Sequence, residues 1–543
     1  MKSFISITNI SRPSLCSNSL IIIIALYLSC FLNNQLWYQL IKIQNGSLLD
    51  KWIFCGSIFI IITLLHIALF CFIMWGKSSK YIALSLISCS VFADYYSRFY
   101  GIYFNTSMVK NILTTSYLEM REFITPSLGL HYIKFGLLPI ITIFYINIYN
   151  INAFKDIWRK CKIVIICITI ASLLILNQMK NIILIMRNHK EIRHVVLPAS
   201  YLIATTRVLF KKTTDRTKIL KKLDPEATRN IPITYKPKLV VLVVGETVRS
   251  QNWGLSGYHR QTTPNLSKLP IINFPYTKTC GTSTEISVPC MFSAFGRKHY
   301  DEKKIKHTES VLHLLNQLNI DVTWIDNQSG CKGVCKGLKN YQANIFDERA
   351  KFCTKFSNCF DEVLVEGLKQ SITKSPKDQI IVLHQLGNHG PAYYARYVND
   401  FEIFKPACIS DDLTQCTQQE IINAYDNALL YTDYVLYKII SELETINNRD
   451  VFFIYVSDHG ESLGEGNIYL HGLPYYIAPN YQTNVPMLFW HSKKFPINHE
   501  CLLKKTSQPS QHDNLYHSLL GLFAISSNTY NKSYDLITSC YNN

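Results

Sequence analysis

The chain has 543 residues, of which 48% are hydrophobic, and a formal net charge of +17. That length exceeds one ordinary compact domain, and the apolar residues are spread too unevenly for a single globule. Long apolar runs end near residue 210, and no low-complexity tract or internal repeat is present.

Five apolar runs come first: Ser19 to Leu32, Ile53 to Trp75, Tyr81 to Phe92, Phe135 to Ile148 and Ile163 to Leu176. A bilayer core of about 30 Å needs roughly 20 helical residues, so these runs predict five membrane spans once their mildly polar ends are counted. The third is the weakest, because Asp94 and a cluster of tyrosines shorten it, and a buried soluble helix is the competing reading there. Lys2 and Arg12 ahead of the first run also fit a cleaved signal peptide. No small-residue cleavage pattern follows, however, and four more spans do. Lys and Arg resist translocation. Lys2 and Arg12, Lys77 and Lys80, and then Lys155, Arg159, Lys160 and Lys162 therefore mark cytoplasmic segments. Everything after about residue 180 is then outside the cytoplasm.

Cysteine usage agrees with that topology. Ten cysteines follow residue 220, and eight form four close sequential pairs: Cys280 with Cys290, Cys331 with Cys335, Cys353 with Cys359, and Cys408 with Cys416. In an oxidising compartment these read as short loops pinned by disulfides. Metal thiolates at Cys331 and Cys335 are the alternative that the compartment disfavours. Cys501 with Cys540 is a weaker fifth pair. The positive charge fits loop orientation and work near anionic lipid, and nucleic acid is a poor partner for an exported domain.

The expected domains are a transmembrane part, 1–180, a bridging amphipathic helix and linker, 181–236, and a catalytic domain, 237–543. Residues 181 to about 210 carry scattered basic and apolar positions, Arg187, Lys190, Arg193 and Val195, Val196, Leu202, Ile203, consistent with an amphipathic helix on the membrane surface. A polar stretch with Pro225, Pro232 and Pro237 follows as the linker. From there short apolar strands alternate with helical stretches, which predicts an α/β domain with a mainly parallel sheet. Candidate strands are Leu239 to Val244, Val322 to Ile325, Gln379 to His384 and Val451 to Val456. Each ends in polar residues suited to chemistry, and open α/β sheets bind ligands beyond the carboxyl ends of their strands.

Asp458 and His459 close one strand in S-D-H-G-E, and Glu246 closes another in V-V-G-E-T. Two carboxylates and an imidazole make a mixed oxygen and nitrogen site for zinc, with manganese as the alternative. The segment Cys280 to Cys290 is rich in hydroxyls, and a metal can activate one as a nucleophile. Residue types alone leave Thr282, Ser283, Thr284 and Ser287 open. Asn111, Thr115 and Glu119, at i, i+4 and i+8, share one helix face, which taken alone reads as solvated.

Five ordered motifs carry a resemblance over nearly the whole chain. They are G-E-T-x-R at Gly245 to Arg249, C-G-T-S-T-E-I-S-V-P-C-M-F-S at Cys280 to Ser293, D-N-Q-S-G-C-K-G-V-C at Asp326 to Cys335, H-Q-L-G-N-H-G-P at His384 to Pro391, and S-D-H-G-E-S with Y-L-H-G at Tyr469 to Gly472. The chain resembles the lipid A phosphoethanolamine transferases, the EptA and mobile colistin-resistance group of the alkaline phosphatase and sulfatase-like superfamily. The resemblance implies a catalytic zinc on Glu246, Thr284, Asp458 and His459, with Thr284 as nucleophile, and allows a second, accessory ion. It implies that Lys332, His389 and His471 contact the transferred phosphate or that accessory zinc. It places Asn111, Thr115 and Glu119 on an extracytoplasmic helix beneath the active site, where they help receive the lipid.

The implied reaction moves phosphoethanolamine from phosphatidylethanolamine to a lipid A phosphate through a phosphoethanolamine-threonine intermediate, in a bacterial inner membrane, by a monomer. Polymyxin resistance would follow. Transfer to another surface glycan is the alternative acceptor, and a catalytically silent lipid-binding sensor the alternative outside enzymes. A sulfatase is disfavoured because the Thr284 segment lacks Cys/Ser-x-Pro-x-Arg. Departures from the family pattern are small: Glu465 to His471 reads E-G-N-I-Y-L-H rather than E-N-G-I-Y-L-H, and Leu197-Pro198 replaces Asn-Pro.

Overall fold

The computed structural model describes residues 12–44, 47–115, 117–149, 151–215, 220–229, 231, 236–347, 351–353, 359–372 and 377–542. Lys2 and Pro232 lie outside the described residues. Two compact units emerge: Met1–Lys110 with Ile124–Phe210, and Asn111–Phe123 with Lys211–Asn543.

The first unit is helical. Among the described residues, Leu48–Ile73, Pro126–Tyr145 and Ala153–Asn177 are each long and apolar enough to cross a bilayer. Ser17–Phe31 and Asn34–Ile43 reach that length only together, as a pair bent by 54°. The run from Tyr81 to Phe92 lies on a helix, Ser78–Tyr100, that also carries Lys80, Asp94 and Arg98, and it is not among the apolar candidates. The count is therefore three, or four with the bent pair, against five expected. Lys160, read as a cytoplasmic loop residue, is buried: it pairs with Asp156 at 3.1 Å and donates to the Met74 carbonyl at 2.6 Å. The amphipathic stretch after the last span is two helices, Met179–Asn188 and Ala199–Asp215, parted by a short 3-10 turn and by Pro198, which cannot continue a helical ladder.

The second unit is built on an eight-stranded sheet. In chain order the strands are β1 (Lys238–Gly245), β2 (Ile272–Lys278), β3 (Asp321–Asp326), β4 (Lys339–Gln342), β5 (Gln379–His384), β6 (Asp450–Ser457), β7 (Asn484–His491) and β8 (Ser510–Gln511). Across the sheet the order is β8-β2-β7-β6-β1-β5-β3-β4. The pairs from β6 to β4, and β8 with β2, are parallel; β7 runs antiparallel to both its neighbours. All four strands expected from sequence are present, and all are parallel to one another. β1 is buried at every position, as its Val and Leu run requires for a central strand covered on both faces. Helices including Gln418–Glu444 and Asp513–Leu522 add their apolar faces to this core. β7 contains Pro486, and the pairing with β2 shifts register there, where a missing N–H is tolerated.

Register is what builds the site. β1 and β6 pair with Gly245 opposite Ser457, and β1 and β5 pair with Val244 opposite His384. Glu246 and Asp458, one residue past each end, therefore emerge side by side.

All 17 cysteines separate by position. The ten after residue 220 form five disulfides, in the four sequential pairs and Cys501 with Cys540. The seven free ones all lie before residue 168.

Candidate active site

Glu246, Thr284, Asp458 and His459 come together beyond β1 and β6. Thr284 Oγ1 donates to Glu246 Oε2 at 3.0 Å and lies 3.4 Å from His459 Nε2. Asp458 Oδ1 accepts the backbone N–H of His459 at 2.7 Å and of Thr247 at 3.3 Å. Each carboxylate is thus anchored by one oxygen. The other oxygen of each, Glu246 Oε1 and Asp458 Oδ2, is buried without a hydrogen-bond partner, at 3.2 and 3.4 Å from His459 Nε2.

His459 Nδ1 donates to the Gly460 carbonyl at 2.9 Å, so Nε2 is the nitrogen turned toward the carboxylates and the one a metal would take in place of a proton, the arrangement that orients a metal-binding imidazole. Two orphaned carboxylate oxygens and an imidazole nitrogen then share one point, with their ligand atoms within 4.8 Å of one another. Lone pairs facing lone pairs call for a cation, and the donor set suits zinc. The crowding of charge shows in the pKa directions. Burial and then the neighbouring Glu246 charge push the Asp458 carboxyl up. For His459 burial opposes a charged ring, yet Asp458 and Glu246 hold its pKa up at about 10.

The local backbone serves this geometry. Thr247, directly after Glu246, has φ 55°, a region that costs a β-branched residue and persists where the surroundings impose it. A Cβ on Gly460 would meet the Tyr481 carbonyl at 2.1 Å, so only glycine fits after His459.

Thr284 opens the helix Thr284–Met291, with Ser283 as its N-cap residue. Its hydroxyl sits where the helix dipole favours negative charge. The other three hydroxyls of the segment are differently placed. Thr282 donates to the Leu473 carbonyl, Ser287 donates to the Asp458 carbonyl, and Ser283 Oγ is buried without a partner. The Cys280–Cys290 disulfide closes this segment into a loop of sequence separation 10. Replacing both cysteines by serine is expected to lower stability by about 3 kcal/mol, the entropy of closing such a loop. Urea titration of the purified enzyme would show it.

A cleft of about 60 Å³ opens onto Thr284, walled by Asn111, Thr115, Glu119, Lys332, His389 and His471 among others. Every expected site residue therefore meets in one place. His389 Nε2 pairs with Glu119 Oε1 at 3.0 Å. Burial opposes charging His389, but Glu119 raises its pKa to about 9; burial likewise opposes charging Glu119, and His389 brings that carboxyl down to about 2. Lys332, at φ 51°, donates to the Ser329 carbonyl at 3.0 Å. His471 Nδ1 hydrogen-bonds Glu461 Oε2 at 2.7 Å, and its ring lies 4.3 Å from that of His459. His459, Glu461 and His471 make a second cluster able to hold a metal.

Two details differ from the sequence reading. Asn111, Thr115 and Glu119 do not share one continuous helix: Thr106–Thr114 stops and Tyr117–Glu122 restarts. Thr114 and Thr115 both turn their hydroxyls back onto the Asn111 carbonyl, a bond that competes with the helical ladder. Glu461 also belongs to the site, which its sequence context alone does not mark. It is fully buried and bridges His471 to Tyr393, whose hydroxyl donates to it at 2.6 Å. Its place in S-D-H-G-E, two residues past His459, was the available signal.

The sulfatase family model matches residues 238–525, and the model for phosphoethanolamine transferase EptA/EptB matches residues 62–213. Phosphoethanolamine transferase EptA of Escherichia coli (strain K12) is 33% identical over 98% of both chains. The chain belongs to the phosphoethanolamine transferase family. The solved integral membrane lipooligosaccharide phosphoethanolamine transferase A of Neisseria meningitidis superposes on this transferase with a TM-score of 0.93 at 34% identity. That match covers 98% of this chain and 100% of the other. Phosphatidylethanolamine transferase Mcr-1 of Escherichia coli is 34% identical over 82% of this chain and 84% of its own. The transferase thus has an N-terminal membrane domain and a C-terminal sulfatase-like domain with a mixed sheet.

Proposed function

We infer that this transferase moves phosphoethanolamine from phosphatidylethanolamine to a lipid A phosphate through a covalent intermediate on Thr284, with zinc held by Glu246, Thr284, Asp458 and His459. The observation that carries it is the meeting of the Thr284 hydroxyl with two half-anchored carboxylates and the Nε2 of His459 at the floor of a cleft. Zinc bound there supplies the positive charge that lowers the pKa of the Thr284 hydroxyl.

Thr284 Oγ1 bonds to phosphorus as the bond from phosphorus to the glyceryl oxygen breaks. Diacylglycerol leaves with the proton that Thr284 gives up. Lys332, His389 and His471 face the cleft and offset charge on the phosphate oxygens, where fixed donors act most strongly in the transition state. Asn111 Oδ1, buried without a hydrogen-bond partner, and Thr115 and Glu119 offer acceptors to the ethanolammonium group. A lipid A phosphate oxygen then attacks phosphorus, and Thr284 regains its proton from the acceptor phosphate.

The membrane part, 1–180, crosses the inner membrane five times in this reading, with the Ser78–Tyr100 helix as the least apolar span. A bridge over 181–236 leads to the periplasmic domain, 237–543, and a single chain is the working unit. The disulfides after residue 220 and free cysteines before residue 168 support that sidedness. Capping a lipid A phosphate adds an amine, so polymyxins and other cationic peptides bind the surface less well.

Mass spectrometry of lipid A from cells with and without the protein tests the acceptor. An added phosphoethanolamine is expected. Unchanged lipid A with a modified core sugar or glucan would move the acceptor there.

A further inference from the structure

We propose that His512 positions the nucleophile, its imidazole tying the segment that carries Thr284 to the strand end that carries Asp458 and His459. His512 stands just before the helix Asp513–Leu522 and is 1% exposed. The Cys280 N–H donates to its Nδ1 at 3.1 Å, and its Nε2 donates to the Ser457 carbonyl at 2.9 Å. A ring nitrogen that accepts from a backbone N–H carries no proton, and one facing a carbonyl must carry one. The two contacts therefore hold a single neutral tautomer. Burial acts the same way, holding the imidazole pKa down at about 3.

Ser287 adds a second strap. Its Oγ lies 3.3 Å from His512 Nδ1 and donates to the Asp458 carbonyl at 2.5 Å. Cys280 and Ser287 flank Thr284 in sequence, so the nucleophile is held between two points fixed to the Ser457–Asp458 corner. The next residue extends the clamp: Asp513 accepts the backbone N–H groups of Arg297 and Lys298 at 2.6 and 3.2 Å. Thr284 Oγ1 sits 3.0 Å from Glu246 and 3.4 Å from His459, and misplacing a reacting atom by about 1 Å costs about 100-fold in rate. This role for His512 rests on Thr284 being the nucleophile.

The test compares His512→Leu with His512→Gln in the full-length, zinc-loaded enzyme in detergent, with headgroup-labelled phosphatidylethanolamine as donor. Leucine fills similar space but leaves the Cys280 N–H and Ser457 carbonyl unpaired, whereas glutamine offers both an acceptor and a donor. His512→Leu is expected to lower kcat per folded, zinc-loaded chain about 100-fold, with KM within about twofold and zinc retained on Glu246, Asp458 and His459. His512→Gln is expected to recover kcat to within about tenfold of the parent. A purely structural histidine would shift melting and folded fraction but not kcat per folded chain. Parent-level kcat in His512→Leu, or a His512→Gln as slow as His512→Leu, overturns the proposal. Should His512→Leu fail to fold, Ser287→Ala decides: kcat about tenfold down at unchanged KM is expected, and parent-level kcat overturns. Thr284→Ala is run in parallel. Activity in that variant removes the nucleophile reading and this role with it; an inactive Thr284→Ala beside a fully active His512→Leu removes the positioning role alone.

Discussion

Thr284→Ala is expected to abolish phosphoethanolamine transfer, lowering kcat on the order of 10⁴-fold or more, because removal of an attacking group leaves only binding and charge stabilisation behind. The fold should tolerate the change. The variant deletes one hydroxyl and one methyl from a residue that faces the cleft, and the Glu246 carboxylate that loses its donor remains beside His459. Transfer from labelled phosphatidylethanolamine, read beside a thermal melt, separates the two effects. Full activity in a folded Thr284→Ala protein would sink the mechanism. Thr284→Ser should keep measurable transfer, since the oxygen is preserved and only the methyl that restrains its rotamer is lost.

The second large effect concerns the metal ligands, and it splits in sign. Asp458→Asn is expected to remove zinc and with it transfer, since the orphaned oxygen Oδ2 is part of the donor set. Stripped of metal, however, the variant should be no less stable than the equally stripped parent. Two buried carboxylates beside one another repel, and that repulsion is what raises the Asp458 pKa after burial itself. The parent should therefore melt at lower temperature in chelator and recover with zinc, as mass action requires of a ligand that binds only the folded state. Asp458→Asn should melt alike in both. Metal analysis with paired melting curves reads out all of this, and an Asp458→Asn enzyme with stoichiometric zinc and full transfer would refute the ligand set.

Legibility from sequence followed burial. β1, β3, β5 and β6 were readable because strands covered on both faces are nearly continuous in Val, Ile and Leu. The residues that follow them could be read as one site because parallel neighbours end together. β2 and β7 are not legible in the sequence because Pro275 and Pro486 interrupt them, and a proline inside an apolar run argues against a strand unless the register shift that accommodates it is known. At the site, residue types narrowed the nucleophile to four hydroxyls, and only the family motif chose among them. The structure separates those four by where their hydroxyls point, which no local pattern encodes. Glu461 and His512 act through buried contacts to residues distant in the chain, such as His512 with Cys280 across 232 positions, and carry little local signature. The break after Thr114 was hidden because the i, i+4 spacing of Asn111, Thr115 and Glu119 suits a continuous helix equally well.

The pairing of β1 with β6 also sets an order of assembly. Thr247 and Asp458, joined by a hydrogen bond at the site, are 211 residues apart in the chain. A chain emerging N-terminus first exposes Glu246 and the Thr284 loop long before the strand that completes them has been synthesised. Contacts of such long range form late, after the loop between them has been closed. A nascent or prematurely released copy, its membrane domain already made, thus carries Glu246 and Thr284 without Asp458 and His459, and under the proposed mechanism it would be inactive. Completion of the polypeptide is what arms it.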